Sequence, residues 1–297
     1  MLPKLTLCIK LAGVICNFLL TRLRLAIAAR LHRLTYRAVP ADSPDLRNIV
    51  VIGASFAGYV AARTLATSLP TGYRVVVVEK NSHFQFTWVF PRFSVVRGHE
   101  HKAFIPYGPF LAAAAPPGSY QWVRGRVERI EKAQEGRRGF VLVHEEGNDE
   151  RRIAYDYLVI ATGSSTDAGL PSRSGVDDKK DGICAFRNLQ DRIENAANIV
   201  VIGGGPAGVE LAADAKDQYP EKNVMLVHSR DTLLNRFGPK MQEIAMKELE
   251  RLGVKIVLGE RLQLQSADER DGYVVLKSGK KVACDCLVSI YANSRLM

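Results

Sequence analysis

Asn48-Ile49-Val50-Val51-Ile52-Gly53-Ala54-Ser55-Phe56-Ala57-Gly58 sets a short apolar strand pattern directly against a turn bounded by glycines. A helical run from Tyr59 to Leu69 follows and stops at Pro70, and a second β-rich run, Tyr73 to Val78, closes on Glu79. Strand, turn, helix and strand in this order predict a βαβ unit that binds a dinucleotide, with its acidic residue 26 positions after the first glycine. Gly53 permits the tight exit from the strand, and Ser55 stands where a second glycine is usual. Gly58 lets helix and strand pack closely. Ala54, Phe56 and Ala57 complete the turn, whose unpaired N–H groups at the helix start suit phosphates. Glu79 is placed to accept hydrogen bonds from ribose hydroxyls.

A second copy lies about 150 residues on: Ile199-Val200-Val201-Ile202 runs into Gly203-Gly204-Gly205-Pro206-Ala207-Gly208-Val209-Glu210. A helix to about Asp217 and a strand over Asn223–Val227 are expected after it. That strand ends in His228-Ser229-Arg230, with no carboxylate at its tip. An acid there repels a 2′-phosphate, whereas Arg230 can pair with one or be a solvated loop residue. NADPH is thus permitted and NADH is not excluded. One such fingerprint is weak evidence. Two on one chain imply two nucleotides, or else one working site and one packing relic.

Between the copies, residues 121–163 read as a β-meander: strands over Gln121–Ile130, Gly139–His144 and Arg152–Ile160, with the last leading into Ala161-Thr162-Gly163. Such a small, flexible ending lets a chain run close to a cofactor or is an ordinary exit from a strand. Residues 164–195 read as a connection. An amphipathic helix over Gly238–Leu252, halted by Gly253, precedes strands near Val254–Leu258 and Tyr273–Leu276 and a last apolar run from Val282 to Ile290.

The chain has 297 residues, of which 47% are hydrophobic and 24% charged, values that exclude wholesale disorder and suit two domains. Its net charge of +10 is concentrated at one end. Lys4, Lys10, Arg22, Arg24, Arg30, Arg33 and Arg37 stand in the first 40 residues with no acid, leaving +3 for the other 257. That body lacks a basic stripe with interleaved aromatics, so nucleic acid is excluded as the expected partner. The five cysteines contain no CxxC or CxxxxC, so neither a zinc finger nor a local redox dithiol is offered. His83, His99, Glu100 and His101 are not joined by a further ligand, so no metal site is expected.

Residues 5–20 are apolar apart from Thr6, Lys10 and Asn17, and 19–37 carry leucines and Ile27 at helical spacing opposite several arginines. This leader fits a mitochondrial import segment, an interfacial membrane anchor, a secretory signal ending near Ala26-Ile27-Ala28, or a disordered stretch. The expected location is accordingly mitochondrial or membrane-associated, and otherwise cytoplasmic.

Taken together, the segments VVIGASFAGYVAA, SHFQFTWVFPRFSVVRGHEHKAFIPY, YLVIATGSS, IVVIGGGPAGVELAAD and YPEKNVMLVHSRDTLL resemble the two-dinucleotide-binding flavoprotein family of pyridine nucleotide-disulfide oxidoreductase fold. The branch they resemble is the apoptosis-inducing-factor-like, ferroptosis-suppressor-type NAD(P)H:quinone reductases. The resemblance implies FAD in the first site and NAD(P)H in the second. By position it assigns Gly53, Ala54, Ser55, Phe56 and Ala57 to the FAD pyrophosphate turn. Arg92, by itself readable as a surface arginine, is implied as an FAD contact. Val127 is implied at the adenine, Thr162 and Gly163 near the flavin, and Gly203, Gly205, Gly208 and Glu210 at the nicotinamide-side motif.

The branch lacks a redox cysteine pair, as does this sequence, which implies electron delivery from reduced flavin to a diffusible quinone-like acceptor with no catalytic side chain assigned. The expected fold is α/β: two Rossmann-like three-layer domains with a small β-meander. The expected divisions are a basic leader and linker over 1–45, an FAD-binding domain over 46–185 and an NAD(P)-binding domain over 186–297. The family continues past the last of these with a returning strand and a further domain. The FAD domain is therefore expected to be incomplete, and a non-catalytic remnant or nucleotide-binding regulatory protein is the alternative reading.

Overall fold

Four parallel strands form the first sheet, in the spatial order Tyr120–Arg124, Tyr73–Glu79, Arg47–Ile52, Tyr157–Ile160. The computed structural model describes residues 2–132, 134, 138–145, 150–163, 176–263 and 272–290. Val75, Val76, Val77 and Val78 are all buried, as befits central strands covered on both faces. The helix Phe56–Ala66 turns Gly58, Ala62 and Ala66, one per turn, onto this sheet. Residues without bulk at that spacing let its axis approach the strands closely.

An antiparallel sheet of Arg126–Glu131, Gly139–His144 and Arg151–Tyr155 covers the other side. Val141, Val143, Ile153 and Tyr155 pack there on Val50, Ile52, Val76, Val78 and Val123. The meander differs from the sequence expectation at both outer strands. The first breaks at Gly125, whose N–H donates to the Glu79 carbonyl at 3.0 Å. The last breaks at Asp156, whose carboxylate accepts the Asn48 N–H at 2.9 Å and whose own N–H donates to the Asn48 carbonyl at 2.9 Å. At Gly125 the chain leaves the parallel sheet for the antiparallel one, and at Asp156 it returns to the parallel sheet. The unit built this way comprises Met1–Lys80 and Tyr107–Thr162.

The leader is one continuous helix, Leu2–Thr35, of 34 residues, where the sequence suggested two successive segments. Its large apolar side chains from Leu5 to Leu34 are exposed.

The second unit comprises Asn81–Pro106 and Gly163–Met297. Its parallel sheet runs Lys255–Val257, Asn223–Val227, Asn198–Ile202, Cys286–Ser289. Helices Lys179–Asn195, Pro206–Gln218 and Pro239–Leu252 bury Leu189, Ile193, Leu211, Ala215 and Leu249 on one side. The hairpin Tyr273–Val275 and Lys281–Ala283 covers the other through Val274, Leu276 and Val282. The apolar run 282–290, expected as one element, divides between that hairpin and the sheet.

Two corrections to the expected domain limits follow. A boundary between residues 185 and 186 would cut the helix Lys179–Asn195, which the sequence reading took for a connection. The segment 81–106, expected in the first domain, packs in the second unit. Phe90 and Phe104 there meet Phe186 of that helix, with ring centroids 4.9 and 6.0 Å apart. Burying three aromatic rings outweighs proximity in sequence.

Candidate functional site

Both glycine turns are made to one plan. Gly53 and Gly203 leave their strands at φ +89 and +118, backbone that L side chains rarely adopt. Gly58 and Gly208 lie five residues later, so close to the first glycine that a Cβ on either would overlap the Gly53 or Gly203 carbonyl oxygen. Ser55 and Gly205 occupy the N-cap positions of the helices that follow, with extended backbone and no side-chain cap hydrogen bond. The first N–H groups of each helix therefore have no partner from a cap side chain, an arrangement suited to an anion.

Each turn is tied to the tip of the neighbouring strand, and the two ties differ. In the first unit, the buried Glu79 accepts the Ala54 N–H at 2.5 Å through Oε2. Tyr107 is buried nearby, and its hydroxyl pKa is pushed well above the ordinary value by burial first and by the Glu79 charge second. In the second unit, His228 Nδ1 accepts the Gly204 N–H at 3.1 Å. A backbone N–H only donates, so Nδ1 carries no proton and the neutral ring holds its proton on Nε2. Nε2 is buried without a protein partner among the described residues. Burial, then Arg230, lowers the His228 pKa and keeps the ring neutral. Sequence reading missed His228 because it sought a carboxylate at that tip. The signal was present all the same, a polar side chain one residue past the strand.

The second turn opens into a cleft of about 620 Å³ bordered by Gly203, Gly205, Ala207, His228, Ser229 and Arg261, among others. A Cβ on Gly205 would meet nothing within 4 Å among the described residues, which leave the approach to the helix N-terminus open. Exposed Arg230 lies outside the cleft lining, and its carbonyl accepts the Gly259 N–H at 3.1 Å. Glu210 sits one turn into the helix. Its pKa is raised by desolvation first and by Asp214 second, with Arg92 opposing.

The remaining candidates separate. Ala161 abuts the first turn, since a Cβ on Gly53 would lie 2.5 Å from the Ala161 oxygen, and Thr162 and Gly163 follow as exposed residues. Val127 is half-buried, pairs with Val143 beside a bulge and packs on the core of the first unit. Arg92 belongs to the second unit, where it forms an ion pair with Asp214 at 2.6 Å. Of the histidine-rich cluster, Glu100 is buried and accepts Gln190 Nε2 at 2.8 Å and the Gly98 N–H at 2.9 Å. Burial alone would raise its pKa, but the Gln190 and backbone hydrogen bonds bring it below the usual carboxylate value.

The cradles fit two dinucleotides: helix N-termini without a side-chain cap, glycines where a Cβ would fill the space, and among the described residues an orphaned imidazole donor beside one of them. Comparison with known proteins agrees. The sequence profile described as pyridine nucleotide-disulphide oxidoreductase matches residues 47–291. Fe-regulated protein 8 of Mycosarcoma maydis is 38% identical over 254 residues, 82% of this chain and 63% of that protein. Ferroptosis suppressor protein 1 of Xenopus tropicalis is 31% identical over 248 residues, 81% of this chain and 61% of its own length. The chain thus spans about three fifths of these curated relatives. Among solved structures, the water-forming NADH oxidase from Lactobacillus brevis bound to NADH superimposes with a TM-score of 0.62 at 18% identity, over 82% of this chain and 54% of that one. Turn geometry, parallel sheets and profile agree: the chain belongs to the pyridine nucleotide-disulphide oxidoreductase family.

Proposed function

We propose that the chain is an FAD-dependent oxidoreductase that takes hydride from NAD(P)H and passes the electrons to a quinone-like acceptor. The observation that carries this is the repetition of one turn plan at two sites, each leading into a helix whose N-cap residue makes no side-chain cap hydrogen bond. FAD supplies two-electron chemistry, and the net reaction is NAD(P)H, a proton and a quinone giving NAD(P)⁺ and a quinol.

The chain's own contribution is placement. Gly53 to Gly58 and the start of the helix Phe56–Ala66 hold the FAD pyrophosphate, while Glu79 braces the turn and faces the adenosine side. By family resemblance, Arg92, Val127, Thr162 and Gly163 are further FAD contacts. Gly203, Gly205, Gly208 and Glu210 shape the seat for NAD(P)H, with His228 at its tip and Arg230 following. An imidazole donor in place of a carboxylate at the strand tip favours a 2′-phosphate, and so NADPH. A diffusible acceptor is supported by the cysteine pattern. Cys284 and Cys286 are both buried, and Cys8, Cys16 and Cys184 are exposed but are not joined in a CxxC or CxxxxC pair.

The test is the absorption spectrum of the purified full chain after FAD is added, before and after anaerobic NADPH. A bound flavin band that bleaches with NADPH and returns with a short-chain quinone is expected. A chain that takes up nucleotide but never FAD would overturn the redox reading in favour of a nucleotide-binding regulatory role.

A further inference from the structure

The helix Leu2–Thr35 is an unusual appendage for a soluble enzyme. It is about 51 Å long at 1.5 Å per residue. Large apolar side chains, Leu5, Ile9, Val14, Phe18, Leu23 and Ile27 among them, are at least half exposed and point to every side. A helix that rests on a membrane surface needs a polar face, whereas one apolar all round belongs inside hydrocarbon.

The stretch from Leu5 to Thr21 covers about 25 Å, within the range of spanning helices. Its single charge, Lys10, lies about 8 Å from the outer end, near enough for its four-carbon stem to reach the headgroups. Arg22, Arg24, Arg30 and Arg33 follow without any acid, a collar for anionic phospholipid.

The inner end of the helix is part of the fold. His32 Nε2 lies 2.5 Å from the Leu69 carbonyl, and Arg33 donates to the Ala112 carbonyl at 3.4 Å. The buried Tyr36 donates its hydroxyl to the carbonyls of Tyr73, at 2.9 Å, and Gly118, at 3.3 Å. The Arg37 N–H donates to Thr71 Oγ1 at 3.0 Å. Tyr73 opens a parallel strand and Gly118 precedes the next, so the join is at the N-terminal edge of the first sheet. Gly53 and Glu79 are at the other edge. A removable import or secretory segment has no reason to be bonded into the sheet it will leave.

We propose that Leu2–Thr35 spans a bilayer rich in anionic phospholipid, and that its bonded inner turn holds the first unit against the arginine-side leaflet with the Gly53 turn facing away. Exposed Phe110, on the helix that Arg33 touches, and Arg63 beside its ring extend the collar onto the body. An aromatic ring with basic neighbours suits the headgroup layer.

Native cysteines report on this directly, because Cys8 and Cys16 lie on the helix and Cys184 is exposed on the second unit. The full chain is reconstituted in vesicles of four parts phosphatidylcholine to one part phosphatidylserine and treated with a membrane-impermeant maleimide. Cys8 and Cys16 should label at least about tenfold more slowly than Cys184 until detergent is added, and the protein should stay with the vesicles in alkaline carbonate. Equal labelling in intact vesicles or release by carbonate would overturn the spanning helix. So would a mature chain beginning beyond Tyr36, or the same protection without lipid, which marks helix pairing between copies. Tyr36→Phe keeps the ring but removes its bonds. It should stay in the vesicles while trypsin cleavage after Arg37 rises severalfold, and cleavage equal to the parent would show that the join does not fix the unit.

Discussion

Gly208→Ala and Gly205→Ala, three positions apart in the same turn, should fail in different ways. The alanine Cβ at 208 would lie far inside the 3.0 Å that real Cβ contacts keep from the Gly203 carbonyl oxygen. That oxygen belongs to backbone fixed between strand and turn, so no side chain can move aside. Helix Pro206–Gln218 must then lift from the sheet over which it buries Leu211, Ala212 and Ala215. Overpacking of this kind costs about 1–3 kcal/mol, which lowers the melting temperature by about 3–10 °C in a domain of this size. At 205, φ is −80 and no described residue lies within 4 Å of the new methyl. Gly205→Ala should therefore melt within about 2 °C of the parent, yet bind NADPH about tenfold or more weakly because the methyl stands where the pyrophosphate approaches the helix. Thermal unfolding followed by far-ultraviolet circular dichroism, with fluorescence titration of NADPH, separates the two. A Gly208→Ala protein as stable as the parent, or a Gly205→Ala protein with undiminished NADPH affinity, would refute the assignment of packing to one glycine and access to the other.

Glu79→Gln keeps the shape of the brace on Ala54 but removes its charge; losing about 1 kcal/mol from a charge-assisted bond should weaken FAD binding roughly fivefold in a flavin fluorescence titration, and equal affinity would show that the charge is idle. Arg92→Ala leaves the Asp214 carboxylate, 14% exposed, without its cation; because the arginine itself is largely exposed, the loss should be about 1 kcal/mol in a urea midpoint, and Asp214→Asn in the same background should recover part of it. Stability should also depend on His228. Its folded pKa lies below the ordinary 6.5, so the unfolded chain takes up that proton first, and the contribution is complete above about pH 7 and lost as pH falls through 6.5 towards the folded value. His228→Gln should flatten the decline in urea midpoint between about pH 7 and 5.5, whereas an unchanged slope would place the titrating group elsewhere.

The turns were legible in the sequence because their rule is local. A glycine needing positive φ, another at a close approach five residues on, and a buried strand on either side leave a pattern within 30 residues. Gly238 and Gly253 likewise bracket the helix Pro239–Leu252, with Gly253 in the left-handed conformation. What escaped depended on distant partners. Gly125 and Asp156 break their strands only because Glu79 and Asn48 wait in another sheet. The helix Lys179–Asn195 carries lysines, acids and few large apolar residues, and its stripe of Phe186, Leu189 and Ile193 makes sense only against segment 81–106 and the second sheet. The Arg92–Asp214 pair joins residues 122 apart. His228 was visible but unread, since its role follows from the Gly204 N–H that its ring receives.

A polypeptide with two near-identical receptacles must sort its guests, and shape cannot do the sorting when the scaffolds match. The difference between the Glu79 carboxylate and the His228 imidazole can. On the proposed function, an extra phosphate would be repelled from one receptacle by the Glu79 carboxylate and favoured at the other by a hydrogen-bond donor. Two chemical groups of a few atoms each would then be what tells the two nucleotides apart.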